Sequence, residues 1–159
     1  MALTEQNPNS QNLERLLKRT PCVGICSTTY GDLVCRGCKR FAHEIDQWNG
    51  FGDGQRRLVW ERLFKLREGA MACHVRIVDE AAVRAQGEAL RVPDQEALDL
   101  PNLAYEVLRR SLRTRDFSTL GFEPLTPARD GSELYERLER ELYERSVAQY
   151  EHDFHVPTR

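Results

Sequence analysis

The stretch TPCVGICSTTYGDLVCRGC, residues 20–38, holds four of the chain's five cysteines within 17 positions: Cys22, Cys26, Cys35 and Cys38. Packing alone does not explain such crowding, and four converging thiolates make a complete tetrahedral metal site. The spacings are C-x3-C and C-x2-C, with eight residues between the pairs. A tight turn between paired cysteines points backbone N–H groups at the sulfurs and stabilises thiolate charge. Gly24 and Gly37 stand inside the two turns, where close backbone approach is easiest. Arg36 and Lys39 flank the second pair and offset its negative charge. With four ligands in one short segment, metal binding and folding of the module are expected to be one event.

Working outward, residues 1–12 are polar and read as a disordered tail, and Asn12 is positioned to cap a short helix from Leu13 to Arg19. Pro21 ends that helix. Between Cys26 and Cys35, β-branched and aromatic residues flank Gly31-Asp32, which predicts a short hairpin or loop bringing the two Cys pairs together. After Cys38 the period changes to that of a helix: Phe41, Ile45 and Trp48 fall on one face. Asp53 is placed to cap a helix over about 55–68 that buries Leu58, Val59, Leu63 and Leu66 and ends at Gly69. Beyond it the expectations are a short strand over 72–78, a helix capped by Asp79, and a helix opened by Pro101. A loop over 114–129 follows, with Phe117, Leu120, Phe122 and Leu125 buried. A charged helix from about Asp130 to Tyr150 is then stitched by i,i+4 pairs such as Glu133–Arg137. The organisation expected is a tail and short helix over 1–19, a four-cysteine metal module over 20–68, and a helical extension over 69–159. The fold class is mainly α.

Composition narrows the function classes. Net charge over the 159 residues is −2, which gives no global case for nucleic acid or an acidic membrane surface. Residues 20–67 carry eight Lys/Arg against five acids, a net of +3, which favours ionised thiols but is too weak to mark a phosphate-binding surface. No apolar run approaches the roughly 18 residues needed to span a bilayer, and residues 1–12 lack the apolar core of a secretory signal. The expected location is the cytoplasm. There thiols stay reduced, which speaks against two disulfides, the competing reading of the four cysteines.

Spacing alone leaves the metal open. The pattern differs from the common ferredoxin spacings, and paired cysteines on a short loop are the ordinary form of a zinc knuckle, so the residues lean towards structural Zn2+. The run T-P-C-x-G-x-C (20–26), then C-x-G-C-x-R (35–40), then Glu44-Ile45 and Trp48, resembles the small bacterial YdhL-like family, catalogued as domain of unknown function 1289. The resemblance covers residues 20–67 and departs at Phe41, where the family often has Thr. Members are described as predicted iron–sulfur proteins. The resemblance therefore implies an iron–sulfur cluster on Cys22, Cys26, Cys35 and Cys38, used for electron transfer or redox sensing, with a zinc-stabilised interaction module as the alternative. It implies no reaction.

Other residues attract weaker readings. Cys73 reads as a small buried hydrophobe, His43 as a surface histidine, and His152 with His155 as a chance pair. Trp48 and Trp60 read as core, and Glu44, Asp46 and Glu61 as solvated faces. Lys39, Arg40, Arg56 and Arg57, with Arg36, are the residues that a nucleic-acid surface would use, although a protein partner is the expectation. Leu134, Tyr135, Leu138 and Leu142 offer either a partner surface or packing onto the chain's own core. No Ser/His/Asp order, nucleotide-binding glycine loop or paired-His metalloprotease motif occurs, and no small-molecule substrate is inferable.

Overall fold

In the computed structural model, residues 8–154 are described, and the chain is mainly helical. The first helix, α1 (Pro8–Lys18), begins before the expected cap, so Asn12 lies inside it and residues 8–12 are helix rather than tail. Residues 1–7 of the expected tail, and His155, lie outside the described residues. Leu16 and Leu17 are buried on one side of α1, where they join Trp48, Val59, Trp60 and Leu63 in a small core. After the cysteine segment comes α2 (Ala42–Gln47), a short helix with Phe41 at its N-cap.

The long helix α3 (Asp53–His74) is the element that both halves of the chain share. Gly52, not Asp53, takes the N-cap position, and the Gln55 side chain accepts from its N–H at 3.0 Å. Helix α3 does not end at Gly69. It runs five residues further, which shortens the expected strand over 72–78 to β1 (Val75–Ile77). Two more helices follow, α4 (Glu80–Ala89), started as expected by Asp79, and α5 (Leu100–Arg109), which carries the expected Pro101 in its first turn and is capped by Asp99. Asp79 accepts from the Ala82 N–H at 3.1 Å and Asp99 from the Asn102 N–H at 2.9 Å. The expected loop over 114–129 contains a second strand, β2 (Phe122–Pro124), antiparallel to β1 with Arg76 opposite Glu123. These two strands form a sheet too small to stand without the helices around it.

The chain closes with α6 (Gly131–Phe154), started by Asp130, which accepts from the Glu133 N–H at 3.0 Å. Its Leu134, Leu138 and Leu142 are buried and pack with Ala70 and Met71 of α3, Val83 of α4 and Leu103, Val107 and Leu108 of α5. These leucines thus serve the chain's own core, at about 1.5–3 kcal/mol of transfer free energy each. Two expected core residues are out of place: Leu58 is 67% exposed and Leu125 53% exposed. Leu58 sits one step around α3 from Val59, on the solvent-exposed side of the helix. Among the described residues no helix is long and apolar enough to cross a membrane.

Candidate metal centre

The cysteine segment is organised by one tight hairpin, and of the hairpin or loop expected around Gly31-Asp32 the structure forms the loop. Residues 27–30 form a single 3-10 turn that Gly31 closes at φ 99°, so no hairpin forms at Gly31-Asp32. Glycine spends its left-handed freedom there on ending the 3-10 turn. The hairpin arms are instead residues 33–35 and 40–42. The Cys35 N–H donates to Arg40 O and the Ala42 N–H to Leu33 O, each at 2.9 Å, and Val34 bridges Phe41. Cys35 and Cys38 stand at the tip. The Lys39 N–H closes the turn onto Cys35 O at 2.9 Å, with Lys39 itself in the left-handed region at φ 65°.

That turn aims main-chain donors at one sulfur. Burial pushes the Cys35 thiol up. The N–H groups of Cys38, Ser27 and Gly37, helped by the Cys38 thiol, outweigh it and hold Cys35 below the usual thiol value. Cys38 goes the other way. Burial is the largest influence on it and raises its pKa, although Arg40 opposes with a hydrogen bond from Nε to Sγ at 3.3 Å. The two sulfurs therefore share one site, with the Cys38 thiol placed to donate to Cys35.

The first pair reaches this site through its backbone. Ile25 O lies 3.5 Å from Cys35 Sγ, and the Arg36 N–H donates to Ser27 Oγ at 2.8 Å. Gly37 is required at this crossing, because a Cβ there would stand 2.7 Å from Ile25 O and 2.8 Å from Val23 Cγ2. The first-pair sulfurs make local contacts: Cys26 Sγ lies 2.9 Å from Thr28 Oγ1, and Cys22 Sγ accepts from the Gly24 N–H at 3.4 Å. Cys22 is exposed, Cys26 half-buried, and Cys35 and Cys38 buried. The structure thus brings Cys35 and Cys38 together and lays residues 25–27 against them. Among the described residues no three Cys, His, Asp or Glu side chains converge to hold an ion. The donor set nevertheless fits a thiolate-bound metal: four free thiols, three N–H groups on one sulfur and a guanidinium on another.

The surrounding charges depart from the surface reading. Lys39 and Arg40 are each 3% exposed, so neither can serve a nucleic-acid surface. Lys39 Nζ donates to Gly37 O at 2.8 Å and pairs with Glu139 of α6, while the Arg40 guanidinium lies over the Trp48 ring. Glu44 is not a solvated acid. It is buried, accepts from the Phe41 N–H at 2.8 Å and pairs with Arg62 of α3. Helix α6 covers the hairpin further: Tyr143 stacks under Arg36, and Tyr150 and Phe154 meet the Phe41 ring edge-on.

Trp48 and Trp60 are core, as read from the sequence. His43 stacks near Phe154 and is not among the groups on the sulfurs. Cys73 is exposed rather than buried, with Arg145 Nη2 at 3.3 Å from its sulfur, because α3 turns it away from the core. Sequence reading missed Ser27 and Thr28, whose position after Cys26 is a usable turn signal, and Glu139, 100 residues from its partner, which had none.

Residues 20–67, under a third of the chain, match the model of a family described as "Protein of unknown function (DUF1289)". No curated protein and no solved structure matches the chain.

Proposed function

We propose that Cys22, Cys26, Cys35 and Cys38 hold an iron–sulfur cluster that this protein uses to carry electrons or sense redox state. The observation behind this reading is the cysteine hairpin, which brings Cys35 and Cys38 together at its tip while Arg40 Nε donates to Cys38 Sγ at 3.3 Å. Such donors stabilise thiolate charge and lower the cost of assembling several sulfurs around a metal. A bound cluster would take up and release one electron. The chain would hold the four sulfurs, shield Cys35 and Cys38 from water and leave Cys22 at the surface. A protein is the expected exchange partner, since Ile25, Tyr30 and Leu33 beside the cysteines are 69%, 91% and 57% exposed.

One observation favours a second reading, a structural Zn2+. A C-x2-C turn closed by a left-handed residue, here Lys39, suits a single tetrahedral ion. Anaerobic purification followed by metal, sulfide and optical analysis separates the two. A brown protein containing iron and acid-labile sulfide is the result expected. A colourless protein with one zinc per chain selects the interaction module, and a chain without stoichiometric metal overturns both.

A further inference from the structure

Beside Cys22, a cavity of about 80 Å³ opens between α3 and α5, and the charges around it do not balance. Three guanidiniums meet at a single carboxylate. Arg67 Nη1 lies 3.6 Å from Glu106 Oε1 and Arg109 Nη1 3.5 Å from Oε2, and Arg110 pairs with Oε2 as well. Arginine stays charged at any working pH, so this cluster carries an excess of two positive charges. Arg67 and Glu106 are each only 9% exposed, while the Arg109 and Arg110 side chains keep 34% and 27% exposure. Arg19 stands on the rim, already matched to Asp94 at 2.9 Å.

A second, independent observation points the same way. Trp60 lines this cavity and is 6% exposed, and its indole N–H is buried without a hydrogen-bond partner among the described residues. An indole can only donate, so what it lacks is an acceptor. A trapped water would satisfy the indole and leave the charge excess standing. An anion's oxygen answers both. A cavity of about 80 Å³ has room for a small ion.

We propose that this cavity is a binding site for a small oxyanion, held by Arg67, Arg109 and Arg110 and by the Trp60 indole N–H. Several guanidiniums around one ligand favour a tetrahedral anion, whose oxygens can face more than one of them, over a single carboxylate. The site stands apart from the metal reading. It uses none of the N–H groups on Cys35, and Cys22 contributes only a wall.

The test is calorimetric titration of the purified full chain, in whatever metal state it is isolated, with inorganic phosphate and separately with acetate, against chloride at matched ionic strength. Thermal unfolding is followed in the same buffers. Phosphate is expected to bind saturably and raise the melting temperature, with acetate weaker. Trp60→Phe keeps the ring and removes only the N–H, and it should weaken binding by about tenfold or more. Arg109→Gln with Arg110→Gln should abolish binding, and both side chains are exposed enough (34% and 27%) for circular dichroism to show an intact fold. Should that double variant not fold, Trp60→Phe decides alone. Saturable binding of either anion that weakens in Trp60→Phe supports the site. The proposal is overturned if neither anion binds beyond the chloride control, or if Trp60→Phe binds phosphate as the unaltered chain does.

Discussion

Lys39, at the left-handed end of the cysteine turn, is ion-paired with Glu139 of α6, and the same carboxylate accepts a hydrogen bond from the Tyr105 hydroxyl at 2.5 Å. One acidic side chain therefore joins the candidate metal centre, α5 and α6. The Lys39 side chain is 4% exposed, so its charge depends on this partner. Glu139→Gln should destabilise the chain by about 2 kcal/mol, below the full value for a buried pair because Glu139 keeps 23% exposure. At this chain length that lowers the melting temperature by about 4–8 °C. A thermal shift under one degree would show that the pair contributes nothing.

The two glycines of the cysteine turns should fail differently. Gly24 is strained for any side chain by its φ of 93°, but it has open space around it, so Gly24→Ala should cost about 1–2 kcal/mol and leave the sulfurs in place. Gly37→Ala puts a methyl against the main chain at Ile25 and must push the two cysteine pairs apart. Metal retained per chain after a chelator challenge should fall far more for Gly37→Ala than for Gly24→Ala. Equal retention would mean that the crossing at Ile25 does not set the site.

Serine in place of Cys22, Cys26, Cys35 or Cys38 should each remove stoichiometric metal, while Cys73→Ser should leave metal content unchanged. Among the four, Cys35→Ser should disturb the fold most, because three N–H groups are aimed at that sulfur. Cys22→Ser, at an exposed position, should disturb it least. Metal analysis paired with far-ultraviolet circular dichroism reads both effects, and full metal occupancy in Cys35→Ser would count against the assignment.

Glu106 supplies a pH dependence. Burial raises its carboxyl, but Arg67, then Arg110 and Arg109, outweigh burial and hold it below the ordinary carboxylate value of 4.5. A depressed folded pKa adds stability that is complete above the unfolded value, and the loss begins as pH falls below about 4.5 and ends beneath the folded pKa. Glu106→Gln should therefore flatten the fall in stability between about pH 5 and pH 3. Urea unfolding at pH 6 and pH 3.5 measures it, and parallel curves for the two proteins would contradict the assignment.

The elements most legible in the sequence were those whose cause is local. Asp79 and Asp130 each accept from an N–H three residues on and mark helix starts that their positions predicted, and Pro101 stands in the first turn of the helix it was expected to open. The i,i+4 spacing of Leu134, Leu138 and Leu142 marked an apolar face, read as either a partner surface or core, and it is core. What stayed hidden was decided by distant partners. Glu44 reads as a surface acid until Arg62 of α3 is placed beside it, and Lys39 and Arg40 read as a basic surface until α6 and Trp48 cover them. The cysteine turn was visible as a motif, but hairpin and loop stayed open around Gly31, which ends a 3-10 turn, a choice that glycine's wide backbone freedom leaves undetermined. Gly69 misled for a related reason: it pointed to a helix end, yet the helix passes through and Arg145 of α6 approaches the bare backbone at that position.

The uninterrupted course of α3 bears on how this protein can be cut. The match to the uncharacterised family stops at residue 67, whereas the helix continues to His74. Its early residues Val59, Trp60 and Leu63 belong to one core and its late residues Ala70 and Met71 to the other. A fragment ending at 67 would fray its last turns and also lose Glu139, Tyr143 and Tyr150 from around the cysteines. The reach of sequence likeness and the extent of a stable piece are therefore different lengths of chain. An expression fragment meant to carry the cysteines intact should extend through α6.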